Sequence, residues 1–252
     1  MGRLPAHAGA SGSRTPSGWY SRCAKVANAL SADTTPAEAF LNAARQGDLG
    51  RLSALLEGDG SLLNTRNEMG QGAVLLAKYH RQQPAVEWLL ARQPQLTLHE
   101  ECAIGRVEAV KQMIGLCGSK MIDAHSQDGF TPLSLACFFG HLDVAEYLVD
   151  QGANVNLAAT NPMRVAPLHA AAAARSFQIV QMLVKAGADV NQAQQQGWRP
   201  LHAAAQNGDA KTVKLLLDAG ADRAARADNN QTASDLAMLK GHAEVVALLE
   251  IP

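Results

Sequence analysis

The sequence predicts an all-α solenoid of stacked helix-turn-helix units joined by short β-hairpin-like fingers. Three observations predict it. A phrase recurs as Thr131-Pro132-Leu133-Ser134-Leu135-Ala136, Ala166-Pro167-Leu168-His169-Ala170-Ala171 and Arg199-Pro200-Leu201-His202-Ala203-Ala204. Its prolines lie 35 and then 33 residues apart. A second phrase keeps the same beat: Gly152-Ala153-Asn154-Val155-Asn156, Gly187-Ala188-Asp189-Val190-Asn191 and Gly220-Ala221-Asp222. A period in this range marks units that cannot bury their apolar faces alone and must stack.

The array opens at Thr35-Pro36-Ala37-Glu38. Thr35 suits the helix cap, Pro36 the first turn, and Glu38 completes a capping box. From there the pattern divides residues 36–252 into seven units: 36–68, 69–95, 96–126, 127–159, 160–194, 195–227 and 228–252. Each reads as a short helix, a tight turn, a longer helix and an extended loop. The turn falls on Gly47, Gly105, Gly140, Gly208 and Gly241, where a left-handed backbone is favourable for glycine. Arg81 and Arg175 hold the same place in two units and are expected to be strained by about 1 kcal/mol. Apolar residues at helical spacing, such as Val144, Leu148 and Val149, mark the core face of the second helices. Gly152, Gly187 and Gly220 end those helices, and Val155 and Val190 start the hairpin arms.

Residues 1–32 differ from the rest. They are rich in Gly, Ser, Ala and Pro and carry no acidic residue. They read as a disordered tail. A transit peptide, or a helix over Trp19–Leu30 docked on the array, stays open as an alternative.

Composition narrows the function. Lys plus Arg (22) nearly cancel Asp plus Glu (23), which argues against a basic field for nucleic acid. The four cysteines, Cys23, Cys102, Cys117 and Cys137, form no CxxC pair and read as reduced thiols of a cytoplasmic protein. No apolar run is long enough to cross a membrane.

The Thr-Pro-Leu-His-x-Ala phrase with its period near 33 resembles the ankyrin repeat, closely over 127–250 and more loosely over 36–126. Three units depart from the pattern. The second carries Gly72-Ala73-Val74-Leu75 in place of the phrase. Only 24 residues separate Arg81 from Gly105, so the finger between units two and three is expected to be truncated. The fifth has two extra residues around Asn161-Pro162-Met163-Arg164, which should lengthen its fingertip. The last unit, from Thr232, resembles a C-terminal cap with Lys240, His242 and Glu244 facing water.

Chemistry is hard to find. The resemblance implies that His169 and His202 bond backbone and tie adjacent units. His141, His242 and His99 also fall on repeat positions, leaving His7, His80 and His125 off the pattern. No histidine pair has metal-ligand spacing. Gly9-Ala10-Ser11-Gly12 is not a nucleophile elbow, and Gly70-Gln71-Gly72 lacks the lysine of a phosphate loop. Glu100 and Glu101 read as a solvated helix face. Asn156 and Asn191 follow Leu148 and Leu183 by eight residues. In ankyrin proteins of animal cells that spacing attracts hydroxylation, but here they read as asparagines bonding within the hairpin. No catalytic, cofactor or metal site is expected.

The resemblance places partner binding on fingertips and on the inner ends of the first helices. Those positions here are Gln71, Phe130, Val165, Trp198 and Gln231 on the fingers. On the helices they are Tyr79 and His80, Ala103 and Ile104, Phe138 and Phe139, Ala173 and Ala174, Gln206 and Asn207, and Leu239 and Lys240. Aromatics make up only 4% of the chain, yet Tyr79, Phe130, Phe138, Phe139 and Trp198 all map there. With Val165, Gln206 and Asn207 they form the expected site, centred on Phe130, Phe138 and Phe139. The alternative is that Phe138 or Phe139 folds under a neighbouring finger. If the rings serve a partner, removing Phe130 and Phe139 together should leave melting almost unchanged. The expected function is a monomeric, non-enzymatic scaffold for a protein partner. A regulatory subunit that occludes an enzyme or transporter is the second reading.

Overall fold

The computed structural model describes residues 35–250. The expectations for residues 1–32, including the Trp19–Leu30 helix, lie outside the described residues. Among the described residues fourteen α-helices pair into hairpins: α1 (Pro36–Gln46) with α2 (Leu49–Gly58), α3 (Ala73–Tyr79) with α4 (Gln83–Leu90), α5 (Leu98–Ile104) with α6 (Val107–Cys117), α7 (Pro132–Phe139) with α8 (Leu142–Asp150), α9 (Pro167–Ala173) with α10 (Phe177–Lys185), α11 (Pro200–Asn207) with α12 (Ala210–Asp218), and α13 (Ala233–Lys240) with α14 (Ala243–Glu250).

Local sequence explains where each helix starts. Thr35 accepts from the Glu38 amide at 3.2 Å while Glu38 accepts from the Thr35 amide at 3.0 Å, the expected capping box. Thr97 with Glu100 and Thr232 with Asp235 repeat that exchange. Pro36, Pro132, Pro167 and Pro200 each occupy a first turn, where the missing amide costs nothing. The turn between paired helices is left-handed: Gly140 has φ 79°, and Arg81 and Arg175 adopt 57° and 60° as expected from their place in the period.

First helices pack on first helices through alanine. Ala44, Ala77, Ala103, Ala136, Ala171 and Ala204 are buried at these contacts, letting the backbones approach closely. Second helices touch their neighbours less, so the row of first helices is the tighter, inner row. The fingers are tight loops, and no strand forms among the described residues. Each loop is closed by one backbone bond, such as Ser126 N–H to Phe130 O at 2.8 Å and Gln194 N–H to Trp198 O at 2.8 Å. In the fifth unit the closing bond runs from Ala159 to Val165, two residues wider, as the insertion predicted. Neighbouring fingers are tied by Thr160 N–H to Gly129 O and by Asp228 N–H to Gln196 O, both at 2.9 Å.

The joint between the second and third hairpins is different. α3 and α5 touch less than any other successive pair of first helices. No full finger intervenes, and the flanking elements reach across instead. Arg66 grips Glu100 with two bonds of 2.9 and 2.8 Å, and Gln71 Nε2 donates to Asp128 Oδ2 at 2.9 Å. Glu100 also accepts from the Thr97 and Gly72 amides. It is 2% exposed and Glu101, held by Arg106, is 5% exposed. This corrects the expectation of a solvated acidic face: both carboxylates are buried counter-charges. Sequence spacing could not reveal the Glu100 pairing, because Arg66 lies 34 residues away.

Histidines and asparagines carry the remaining ties. His99 and His125 donate from Nε2 to Ala124 O and Ala158 O at 2.8 and 3.0 Å, and His141 and His242 donate back to Ala103 O and Gln206 O at 3.0 and 3.2 Å. Asn156 and Asn191 bond the next loop through both side-chain ends, at Asp189 N–H with Gly187 O and at Asp222 N–H with Gly220 O. They bond across units rather than within one hairpin. His169 departs from the expected tie: neither ring nitrogen makes a bond of normal geometry. Burial pushes its pKa down to about 4, opposed by the nearby backbone of Gln192 and Trp198. In His202 only Nδ1 is engaged, accepting from its own cap residue Arg199 at 3.1 Å.

Two predictions follow from this packing. A Cβ on Gly208 (φ 69°) would lie 2.5 Å from His242 Nδ1, whereas one on Gly241 (φ 74°) would meet nothing within 4 Å. Gly241→Ala is therefore expected to cost about 1 kcal/mol of backbone strain, and Gly208→Ala about 2–4 kcal/mol. Denaturant midpoints compare them directly, and equal costs would contradict the packing. Burial also lowers the pKa of His99, His141 and His202, so the folded array holds neutral rings. The unfolded chain then binds more protons below the ordinary value of 6.5, making stability full above that pH and progressively lost as pH falls towards about 4. His169 alone accounts for about 3 kcal/mol. Melting temperature should drop from about pH 7 to about pH 5, with a shallower slope in His169→Asn. A flat profile over that interval would contradict the assignment.

Candidate functional site

The first helices end on the inner side of the array, where the last two residues before each inter-helix turn are half-buried or exposed, Ala103 excepted. On α3 these are Lys78 and Tyr79, followed by His80. On α7 they are Phe138 and Phe139. The intervening α5 offers only Ala103, which is fully buried, and Ile104. A small residue there leaves room for rings from both sides to meet across the third unit.

They do meet. Phe138 and Phe139 stand edge to face with centroids 5.0 Å apart, and Tyr79 lies 5.4 Å from Phe139 and 6.2 Å from Phe138. Tyr79, Phe130 and Phe139 pack on a small core of Leu75, Ala103 and Leu135. All four aromatic residues are half-buried. The structure thus brings together four of the residues read from the sequence. It also changes their meaning: Phe130 and Phe139 pack on core residues of three successive units. Removing both rings takes away that packing, contrary to the expectation of unchanged melting.

The other expected residues disperse. Val165 is 1% exposed, because the fingertip widened by two residues folds its closing position inward. It is withdrawn from the site. Trp198 sits half-buried beside His202, with centroids 5.8 Å apart. Asn207 Nδ2 donates to Ala172 O and Ala173 O, each at 3.2 Å, and the Gln206 carbonyl accepts from His242. Those two residues therefore carry ties between units. Leu239, at the matching position on α13, is 70% exposed.

Sequence reading passed over Lys78 beside the rings and Arg45 at the end of α1. Lys78 Nζ stands over Phe139, 5.5 Å from the ring centroid. Arg45, in the last turn of α1, donates to Asn42 Oδ1 at 2.8 Å. Burial lowers the pKa of both cations. The pKa of His80 is lowered by burial and then by the charge of Arg45. The signal for Arg45 was in the sequence: it lies two residues before Gly47, the position that carries Phe138 in the fourth unit.

No group of three or more metal-ligating side chains gathers among the described residues. Burial pushes the thiols of Cys102 and Cys137 well up, so neither is a thiolate at neutral pH. No described helix is long and apolar enough to cross a membrane.

The family model described as ankyrin repeats (3 copies) matches residues 98–194 and 168–250. The probable 26S proteasome regulatory subunit p28 of Saccharomyces cerevisiae is 29% identical over 101 residues, covering 40% of this chain and 43% of that protein. Ankyrin repeat and SOCS box protein 16 of Homo sapiens is 36% identical over 100 residues, covering 40% of this chain and 21% of that protein. Palmitoyltransferase AKR1 of Kluyveromyces lactis is 32% identical over 104 residues, covering 40% of this chain and 13% of that protein. Each match therefore spans less than half of the relative. The helical hairpins, the left-handed turns and the family match agree, and this chain belongs to the ankyrin repeat family.

Proposed function

We propose that this chain is a non-enzymatic scaffold that holds a protein partner on its inner face and fingertips. The observation that carries the reading is the gathering of Tyr79, Phe138 and Phe139 beside Lys78 at the inner ends of α3 and α7, with Phe130 packed on the same small core from the finger side. Half-buried rings held by packing lose little freedom when a partner covers them, so little ordering entropy opposes association. Trp198 is a second, separate fingertip contact in this reading, and Gln206 and Asn207 offer polar edges beside it. The seven-unit division of 36–252 belongs to the same proposal. So does action as a cytoplasmic monomer, without nucleic acid, cofactor or membrane insertion.

A second reading makes the chain a regulatory subunit that occludes an enzyme or transporter. The likeness to a protein named as a proteasome regulatory subunit favours it. The two readings differ in what happens to the partner's turnover, which falls only under the second.

Affinity capture with the full chain tests the proposal, with Phe138→Ala as the matched bait. Phe138 is outside the trio packed on Leu75, Ala103 and Leu135, so its truncation should keep the helical signal. The expected result is a partner retained by the wild type and reduced at least tenfold on the variant, as for a buried aromatic anchor. Identical retention on both baits would sink the inner-face assignment.

A further inference from the structure

Two last-turn cations, Lys78 beside the rings and Arg45 at the end of α1, enter no ion pair among the described residues. Ion pairs form elsewhere, among them Arg66–Glu100, Arg106–Glu101, Lys111–Glu108 and Arg199–Asp222. Arg45 and Lys78 enter none of them. Arg45 has only the neutral amide of Asn42, and Lys78 has only the face of Phe139. Both are half-buried, so each has surrendered part of its hydration without gaining a carboxylate. Acid is not scarce in this chain, which carries 23 acidic residues against 22 Lys and Arg. The arrangement is local. Placement in the last turns of α1 and α3 offsets part of the cost through the helix dipole, but that effect is small and serves any cation equally.

The rings add a second requirement. Tyr79, Phe138 and Phe139 present an apolar, half-exposed surface against Lys78, whose ammonium stands over Phe139, while Arg45 ends the first helix of the preceding hairpin. A ligand that satisfies both features needs carboxylates and an apolar anchor within a short span. A nucleic acid fits poorly, since its affinity depends on many phosphate contacts and the chain's formal net charge is −1.

We infer that the inner face over the first four hairpins docks an acidic peptide segment carrying an aromatic or aliphatic anchor. Its carboxylates pair with Arg45 and Lys78, and its apolar side chain lies on Tyr79, Phe138 and Phe139. The inference rests on the scaffold reading and names the partner's chemistry.

Selection of random displayed dodecapeptides on the full chain tests it, followed by fluorescence anisotropy with the selected peptides. Enriched peptides should combine two or more acidic residues with a Leu, Ile, Phe, Tyr or Trp. Their affinity should fall at least tenfold on Arg45→Glu with Lys78→Glu and weaken as salt is raised. Arg45→Lys with Lys78→Arg should retain most of it. Circular dichroism checks the fold, and Arg45→Gln with Lys78→Gln replaces the reversal if that unfolds the array. Enrichment of peptides without acids, or binding indifferent to the charge changes, overturns the inference but leaves the scaffold reading standing. Tighter binding of an oligonucleotide than of any acidic peptide also overturns it. Failure of the scaffold reading looks different: every selected peptide binds wild type and Phe138→Ala alike, away from the inner face.

Discussion

No hairpin in this array encloses its own core, and the rest of the structure follows from that constraint. Phe40, Leu52, Val74, Val86 and Leu89 share one cluster across the first two hairpins, while Leu75 turns to Ala103 and Leu135 in the units beyond. Each helix face is buried only because a neighbour covers it. Alanine along the first helices lets the inner row close up. Left-handed residues between paired helices then set the spacing, with histidines and asparagines stapling one unit to the next.

The third unit is where the constraint is hardest to meet, because its finger is cut short and α3 touches α5 only lightly. Two devices compensate. On the finger side, Arg66 reaches Glu100 and Gln71 reaches Asp128. On the inner side, Tyr79 from one flank meets Phe138 and Phe139 from the other, above the small side chain of Ala103. The proposed partner surface is therefore built from the same rings that hold the joint closed. Such a site arrives rigid, which suits a scaffold.

Most of the fold was legible because the period repeats the residues that direct each turn: Pro at a helix start, Gly after it, alanines at the contact. Even the irregular fifth fingertip followed from a count of residues. What escaped were relations that cross the period. Glu100 looked like a surface acid because its partner, Arg66, lies on a different unit. Val165 looked exposed because the wider fingertip folds it in. His125 fell outside the repeated phrase, although it donates to Ala158 in the next unit. Four of the five aromatic positions gather as the period suggested and Trp198 does not, and the packing of Tyr79, Phe130 and Phe139 on Leu75, Ala103 and Leu135 depends on how the short unit lets its neighbours approach.

The central claim is that the rings bridging the third unit are also the surface a partner covers. Amide hydrogen exchange on the full chain, with and without its captured partner, tests this most directly. Binding should slow exchange at the C-terminal ends of α3 and α7, around residues 77–81 and 137–141, and leave the second helices α8, α10 and α12 unchanged. Protection confined to those second helices, with the ends of α3 and α7 unaffected, would contradict the account.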